Sequence, residues 1–221
     1  RKVKPMPDTA KMMPHPRPLR SGGRTGPELE LRASSTHSSG RYLPVSALEA
    51  VIANRRLVLL GAPGSGKSTF VKHLAYCLAQ PRQESGGRGG ACLPDWPEEE
   101  SDLLPILITL GDFVRWARAQ GDEAQRTLSR YLEDRLTGWE LDDFSEPLRD
   151  ALHTGDAMVF CDGLDEVSDA ATRTFVRDAI QTFATTYQDV RIVVTCRTLS
   201  YQDPARRLPE DGFPVFELAP F

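Results

Sequence analysis

The sequence predicts an α/β fold in three layers, a mainly parallel five-stranded sheet flanked by helices. Three observations carry that expectation. Short apolar runs recur along the chain, and each is apolar throughout, the pattern of a strand covered on both faces. Stretches with helical spacing of apolar residues separate them, as parallel strands require. The first apolar run, Leu57-Val-Leu-Leu60, passes directly into a glycine loop and then a helical stretch.

In chain order, residues 46–54 predict a short amphipathic helix with Ser46 as its N-cap. A strand follows over 56–60 and a helix over 67–80. Residues 81–104 are rich in Gly, Pro and Glu and predict a mobile or loosely packed insertion. The run 106–110 predicts a strand buried on both faces, and 112–120, 127–136 and 145–152 predict helices, the last closed by Gly155. Residues 157–161 predict the next strand. A helix over 172–187 presents Phe175, Val176, Ala179, Ile180 and Phe183 on one face. Strands over 191–195 and 215–218 complete the sheet.

Residues 1–41 differ in kind. Six prolines lie between Pro5 and Pro27, and Ser34-Ser-Thr-His-Ser-Ser-Gly40 is a polar tract. Such a stretch buries too little apolar surface to offset the entropy of ordering, so a disordered basic linker is expected. The ordered domain is expected over 42–221. The chain begins with Arg1 and stops at Phe221 in mid-pattern, which reads as a segment of a longer protein.

The chain has 221 residues, 40% of them hydrophobic and 26% charged, an ordinary soluble composition with room for one sizeable domain. A formal net charge of -4 gives no argument for a nucleic-acid-binding surface, and direct nucleic-acid binding is not expected. No apolar run approaches the roughly 20 residues that span a bilayer, and no secretory h-region is present. Membrane binding is therefore not expected, and a cytoplasmic location is. Cys77, Cys92, Cys161 and Cys196 lack metal-ligand spacing and read as buried free thiols.

The chemistry concentrates in residues 61–69: Gly61, Ala62, Pro63, Gly64, Ser65, Gly66, Lys67, Ser68 and Thr69. The spacing GxxxxGK[ST] between strand and helix is a phosphate cradle: glycines let amide hydrogens turn inward, and the helix offers its positive end. Lys67 is expected to reach the β- and γ-phosphates, and the Ser68 hydroxyl to be a Mg²⁺ ligand. These marks narrow the fold expectation to the three-layer P-loop NTPase fold. The second half of the site is Met158-Val-Phe-Cys-Asp-Gly-Leu-Asp-Glu166, an apolar strand ending in an acid. Asp162 is the expected Mg²⁺ holder, and the alternative is an Asp capping the turn. Hydrolysis needs a carboxylate to orient water. Gly163 stands where that acid commonly follows the Mg²⁺ aspartate, so the role moves to Asp165 or Glu166, with the longer Glu166 favoured. The alternative is that one of them caps the next helix. Arg197, at the end of an apolar strand, is expected beside the γ-phosphate with Thr195 as an added donor; the plainer reading is a surface ion pair.

This combination resembles the NACHT group of STAND NTPases, with Asp-Gly-Leu-Asp-Glu as the most distinguishing stretch. Leu104-Pro-Ile-Leu-Ile-Thr-Leu110 and Phe216-Glu-Leu-Ala-Pro-Phe221 extend the resemblance to about residues 42–221. It implies a switch that is closed with ADP, opens on exchange for ATP, self-associates and activates a fused effector in immune or antiviral defence. Effector and sensor regions would lie outside this segment, as would the helical and winged-helix domains. Many members have Pro after the sensor Arg, where this chain has Thr198. The competing expectations are a small-molecule phosphotransferase, which would need an Arg-rich lid where residues 86–90 offer one Arg, and a scaffold that binds nucleotide without hydrolysis. ATP is preferred to GTP because no Asn-Lys-x-Asp is present.

Overall fold

The structure, a computed structural model, describes residues 30–33, 45–80, 93, 95–100, 102–167 and 169–219. The strands are β1 (Glu30–Ala33), β2 (Val45–Ser46), β3 (Arg56–Gly61), β4 (Leu104–Thr109), β5 (Ala157–Asp162), β6 (Arg191–Arg197) and β7 (Val215–Leu218). The helices are α1 (Ala47–Ala53), α2 (Lys67–Ala79), α3 (Leu110–Ala119), α4 (Leu128–Gly138), α5 (Ser145–Thr154), α6 (Ala170–Thr186) and α7 (Thr198–Tyr201).

The strands form one sheet in the order β2-β1-β7-β3-β6-β5-β4. Strands β7, β3, β6, β5 and β4 run parallel, as expected. Two short antiparallel strands extend that five-stranded core at one edge. One of them, β1, lies within the stretch read as a linker. Its backbone pairs with β7, with Leu31 opposite Leu218. The rest of residues 1–41 lies outside the described residues.

Alternation along the strands assigns the two sides of the sheet. Val58 and Leu60, Val159 and Cys161, and Ile192 and Val194 face α3, α4, α5 and α6. Leu57 and Leu59, Met158 and Phe160, and Val193 face α1 and α2. All of these residues are buried, which is why their runs lack polar interruptions. Each fully buried aliphatic or aromatic side chain stabilises the fold by about 1.5–3 kcal/mol relative to exposure.

The strand β4 departs from expectation. It closes the sheet at its far edge, and Leu107 is 42% exposed, so this strand is not buried on both faces. Within the expected insertion, residues 81–92 lie outside the described residues. Leu93 and Leu103 are buried in the α2-side core, and a 3₁₀ turn spans Glu98–Glu100. Two of the cysteines, Cys161 and Cys196, are buried free thiols, and burial pushes both up to about 12. Cys77 differs from the expectation, because it is disulfide-bonded. Cys92 lies outside the described residues. Among the described residues, no helix is long and apolar enough to cross a membrane.

Helix ends are set by side chains the sequence supplies locally. Ser46 and Glu49 form a reciprocal capping box at α1, with Ser46 N donating to Glu49 Oε2 at 2.6 Å and Glu49 N to Ser46 Oγ at 3.1 Å. Thr127 accepts from Arg130 N at 3.2 Å to open α4. The cap of α6 is Asp169, which accepts from Thr172 N at 2.8 Å. Asp165 and Glu166 are thereby left out of the capping role.

Candidate functional site

The glycine loop leaves the carboxyl end of β3, the end at which an open parallel sheet gathers ligands. Its shape depends on missing side chains. A Cβ on Gly61 would lie 2.4 Å from Ser65 Oγ and 3.3 Å from Leu218 Cβ. Gly66, the N-cap of α2, has φ +85°, where a side chain is strained. The chain curls at Ser65, whose amide donates to Ala62 O at 3.1 Å, and enters the helix when Phe70 N donates to Gly66 O at 2.8 Å. The amides of Lys67, Ser68 and Thr69 occupy the first helical turn and have no intrahelical acceptor. Ala62, Pro63 and Gly64 form the exposed outer part of the loop, and Ser68 and Thr69 are exposed on the helix that follows.

Lys67 folds back over this loop. Its Nζ donates to Gly61 O at 2.8 Å, Ala62 O at 3.0 Å and Ser65 Oγ at 3.2 Å. The side chain is buried, and that desolvation lowers its pKa from the lysine value; Asp165 acts in the opposite direction and Arg197 in the same one. A buried ammonium beside a helix N-terminus is a setting that favours an arriving anion, because the anion restores the solvation that burial removed. Gly61→Ala is expected to force Ser65 aside and loosen the Lys67 contacts. We expect a stability loss of about 1–3 kcal/mol, the usual range for overpacking, measured by chemical denaturation.

Two strands away, Asp162 ends β5 in a buried position. Its Oδ1 accepts from Ser68 Oγ at 3.0 Å and from Thr195 Oγ1 at 2.5 Å. Thr195 Oγ1 in turn accepts from Gly163 N at 2.9 Å. The hydroxyl expected to reach a phosphate thus orients the carboxylate instead. Ser68 and Asp162 place a hydroxyl and a carboxylate oxygen in contact at the rim of the loop. Mg²⁺ prefers few protein oxygens and completes its shell with water and phosphate, so this pair fits that ion. Among the described residues, no cluster of three or more His, Cys, Asp or Glu forms a metal cage of the all-protein kind.

After Asp162 the chain reverses at Gly163, φ +87°, into a single 3₁₀ turn over Leu164–Glu166. That turn separates the two acids. Asp165 accepts from Arg197 twice, with Nε at 2.8 Å from Oδ2 and the main-chain N at 3.1 Å from Oδ1. Glu166 is exposed, and its carboxylate makes no hydrogen bond among the described residues. It lies beside the start of α3, since a Cβ on Gly111 would be 3.3 Å from Glu166 Oε2. The turn is held from beneath by residues that sequence reasoning missed. Buried Arg206 donates through Nη2 to Val167 O at 2.7 Å and through Nε to Leu164 O at 3.3 Å. Arg173 Nε donates to Val167 O at 3.3 Å, and Asp203 Oδ2 accepts from both arginines. No local spacing marks these three, because the two arginines act on main-chain oxygens, those of Arg206 about forty residues away, and Asp203 acts through the arginines.

The carboxyl ends of β3, β5 and β6 therefore carry the loop with Lys67 and Ser68, the acid Asp162 with its following turn, and Arg197. A group of this composition can hold an anion and a small hard cation side by side, with one unpaired carboxylate nearby. No family model matches the chain, and no curated protein matches it in sequence.

Proposed function

We propose that this chain is the nucleotide-binding core of a regulatory P-loop NTPase, binding ATP or ADP with Mg²⁺ and hydrolysing ATP slowly. The observation that supports this most is the junction of the glycine loop with Asp162 through Ser68, at the carboxyl ends of parallel strands. In this reading the first-turn amides and Lys67 bind the phosphates. Ser68 and Asp162 hold the metal, which when bound neutralises charge on the terminal phosphates. Glu166 orients the attacking water, and Arg197 contacts the γ-phosphate. The resemblance to the NACHT group of STAND NTPases extends the proposal: nucleotide exchange controls self-association and a fused effector in innate immune or antiviral defence.

Asp162→Asn tests the metal half of the proposal. The wild-type chain is expected to bind ATP more tightly with Mg²⁺ than with a chelator. The variant should lose about tenfold of that gain, since one charged hydrogen-bonding contact is worth about 1.5 kcal/mol or more. Equilibrium titration with a fluorescent ATP analogue reads both. An unchanged metal dependence would remove Asp162 from the site.

A further inference from the structure

We propose that Asp165 is the positioning residue that aims Arg197 at the terminal phosphate, rather than the acid that handles water. This rests on the nucleotide-binding reading above and assigns the division of labour within it. Both oxygens of Asp165 are committed to Arg197, one to its main chain and one to Nε. The grip joins the turn after β5 to the end of β6, so it fixes where Arg197 emerges as well as how its side chain leaves.

Holding a guanidinium through Nε leaves the two Nη groups as a planar pair of donors, the geometry suited to phosphate oxygens. Those groups make no hydrogen bond among the described residues, and the Arg197 side chain is 54% exposed. The Asp165 side chain is only 10% exposed, which leaves little access for a reacting water. Nor can it swing freely, because Arg206 and Arg173 pin the main chain of its turn. Both charges act on the Lys67 ammonium, which places the pair within electrostatic reach of the loop. Glu166, exposed and unengaged, is the remaining carboxylate of the turn.

The ratio of affinities for a non-hydrolysable ATP analogue and for ADP, each with Mg²⁺, tests this on the whole chain. Wild type is compared with Asp165→Asn, Arg197→Gln and the double variant by isothermal titration. Each single variant is expected to lower the preference for the triphosphate about tenfold, the effect of one charge-assisted hydrogen bond. The double variant should lose no more than the larger single loss, because the two residues act as one unit. Arg197→Lys keeps the charge without the Nε grip and should resemble Arg197→Gln. An Asp165→Asn chain with unchanged or stronger triphosphate preference overturns the proposal, as does multiplicative loss in the double variant. If Asp165→Asn does not fold, Arg197→Lys decides alone: wild-type discrimination there overturns the proposal. A wild-type chain that binds neither nucleotide defeats the underlying reading as well, which separates the two failures.

Discussion

Glu166→Gln is expected to slow ATP hydrolysis by about 10²-fold while ATP remains bound, as removal of a general base does. The substitution keeps the shape of the side chain and removes its ability to take or orient a proton. Geometry rather than propensity picks this residue. Of the two acids in the Leu164–Glu166 turn, Asp165 is occupied by Arg197, whereas Glu166 is exposed beside Gly111 without a partner. Single-turnover formation of labelled phosphate after an acid quench is the suitable readout, because slow product release would mask the chemical step in steady state. Hydrolysis at the wild-type rate would exclude Glu166 as the acid that orients water.

Lys67→Ala is expected to weaken ATP binding about tenfold to hundredfold, the loss of a charged contact of roughly 1.5–3 kcal/mol. Two opposing effects set that range. In the free chain the ammonium already donates to Gly61 O, Ala62 O and Ser65 Oγ, so a ligand must compete with contacts that exist. Burial has also lowered its pKa from the usual lysine value, so an anion regains electrostatic energy that folding gave up. We expect the second effect to dominate, since three neutral acceptors solvate an ammonium less well than a phosphate does. Equilibrium titration checks the loss, and a denaturation curve separates it from unfolding.

The strands were the most legible part of the fold. The runs that became β3, β5 and β6 lie inside the sheet, where both faces select apolar residues and composition alone marks them. The boundary between β4 and α3 was harder. Leu110 reads equally as the last residue of an apolar strand or the first buried residue of a helix, and it opens α3. The exposure of Leu107 was hidden for another reason, because sequence does not say which strand lies at an edge. Strand β1 owes its existence to pairing with β7, a contact across most of the chain that no local pattern encodes.

The candidate site divides in the same way. Sequence grouped Ser68 with Asp162 through a motif and its context, and the structure places them in hydrogen-bonding contact. It favoured Glu166 over Asp165 on side-chain length alone, whereas the reversal at Gly163 gives Asp165 to Arg197 and leaves Glu166 exposed. Thr195 was read as a ligand donor, yet its position on the strand between β3 and β5 makes it the support for Asp162. Arg173 and Arg206 were invisible because they donate to main-chain oxygens at Leu164 and Val167, and Asp203 because it acts by accepting from those two arginines.

Isothermal titration of the wild-type chain with ATP and with ADP, each in Mg²⁺ and in chelator, decides whether the glycine loop and Asp162 form a nucleotide site. Saturable binding of one nucleotide per chain is expected, strengthened by the metal and abolished or sharply weakened in Lys67→Ala. Absence of binding to either nucleotide at millimolar concentration, or binding that ignores both the metal and Lys67, would contradict it.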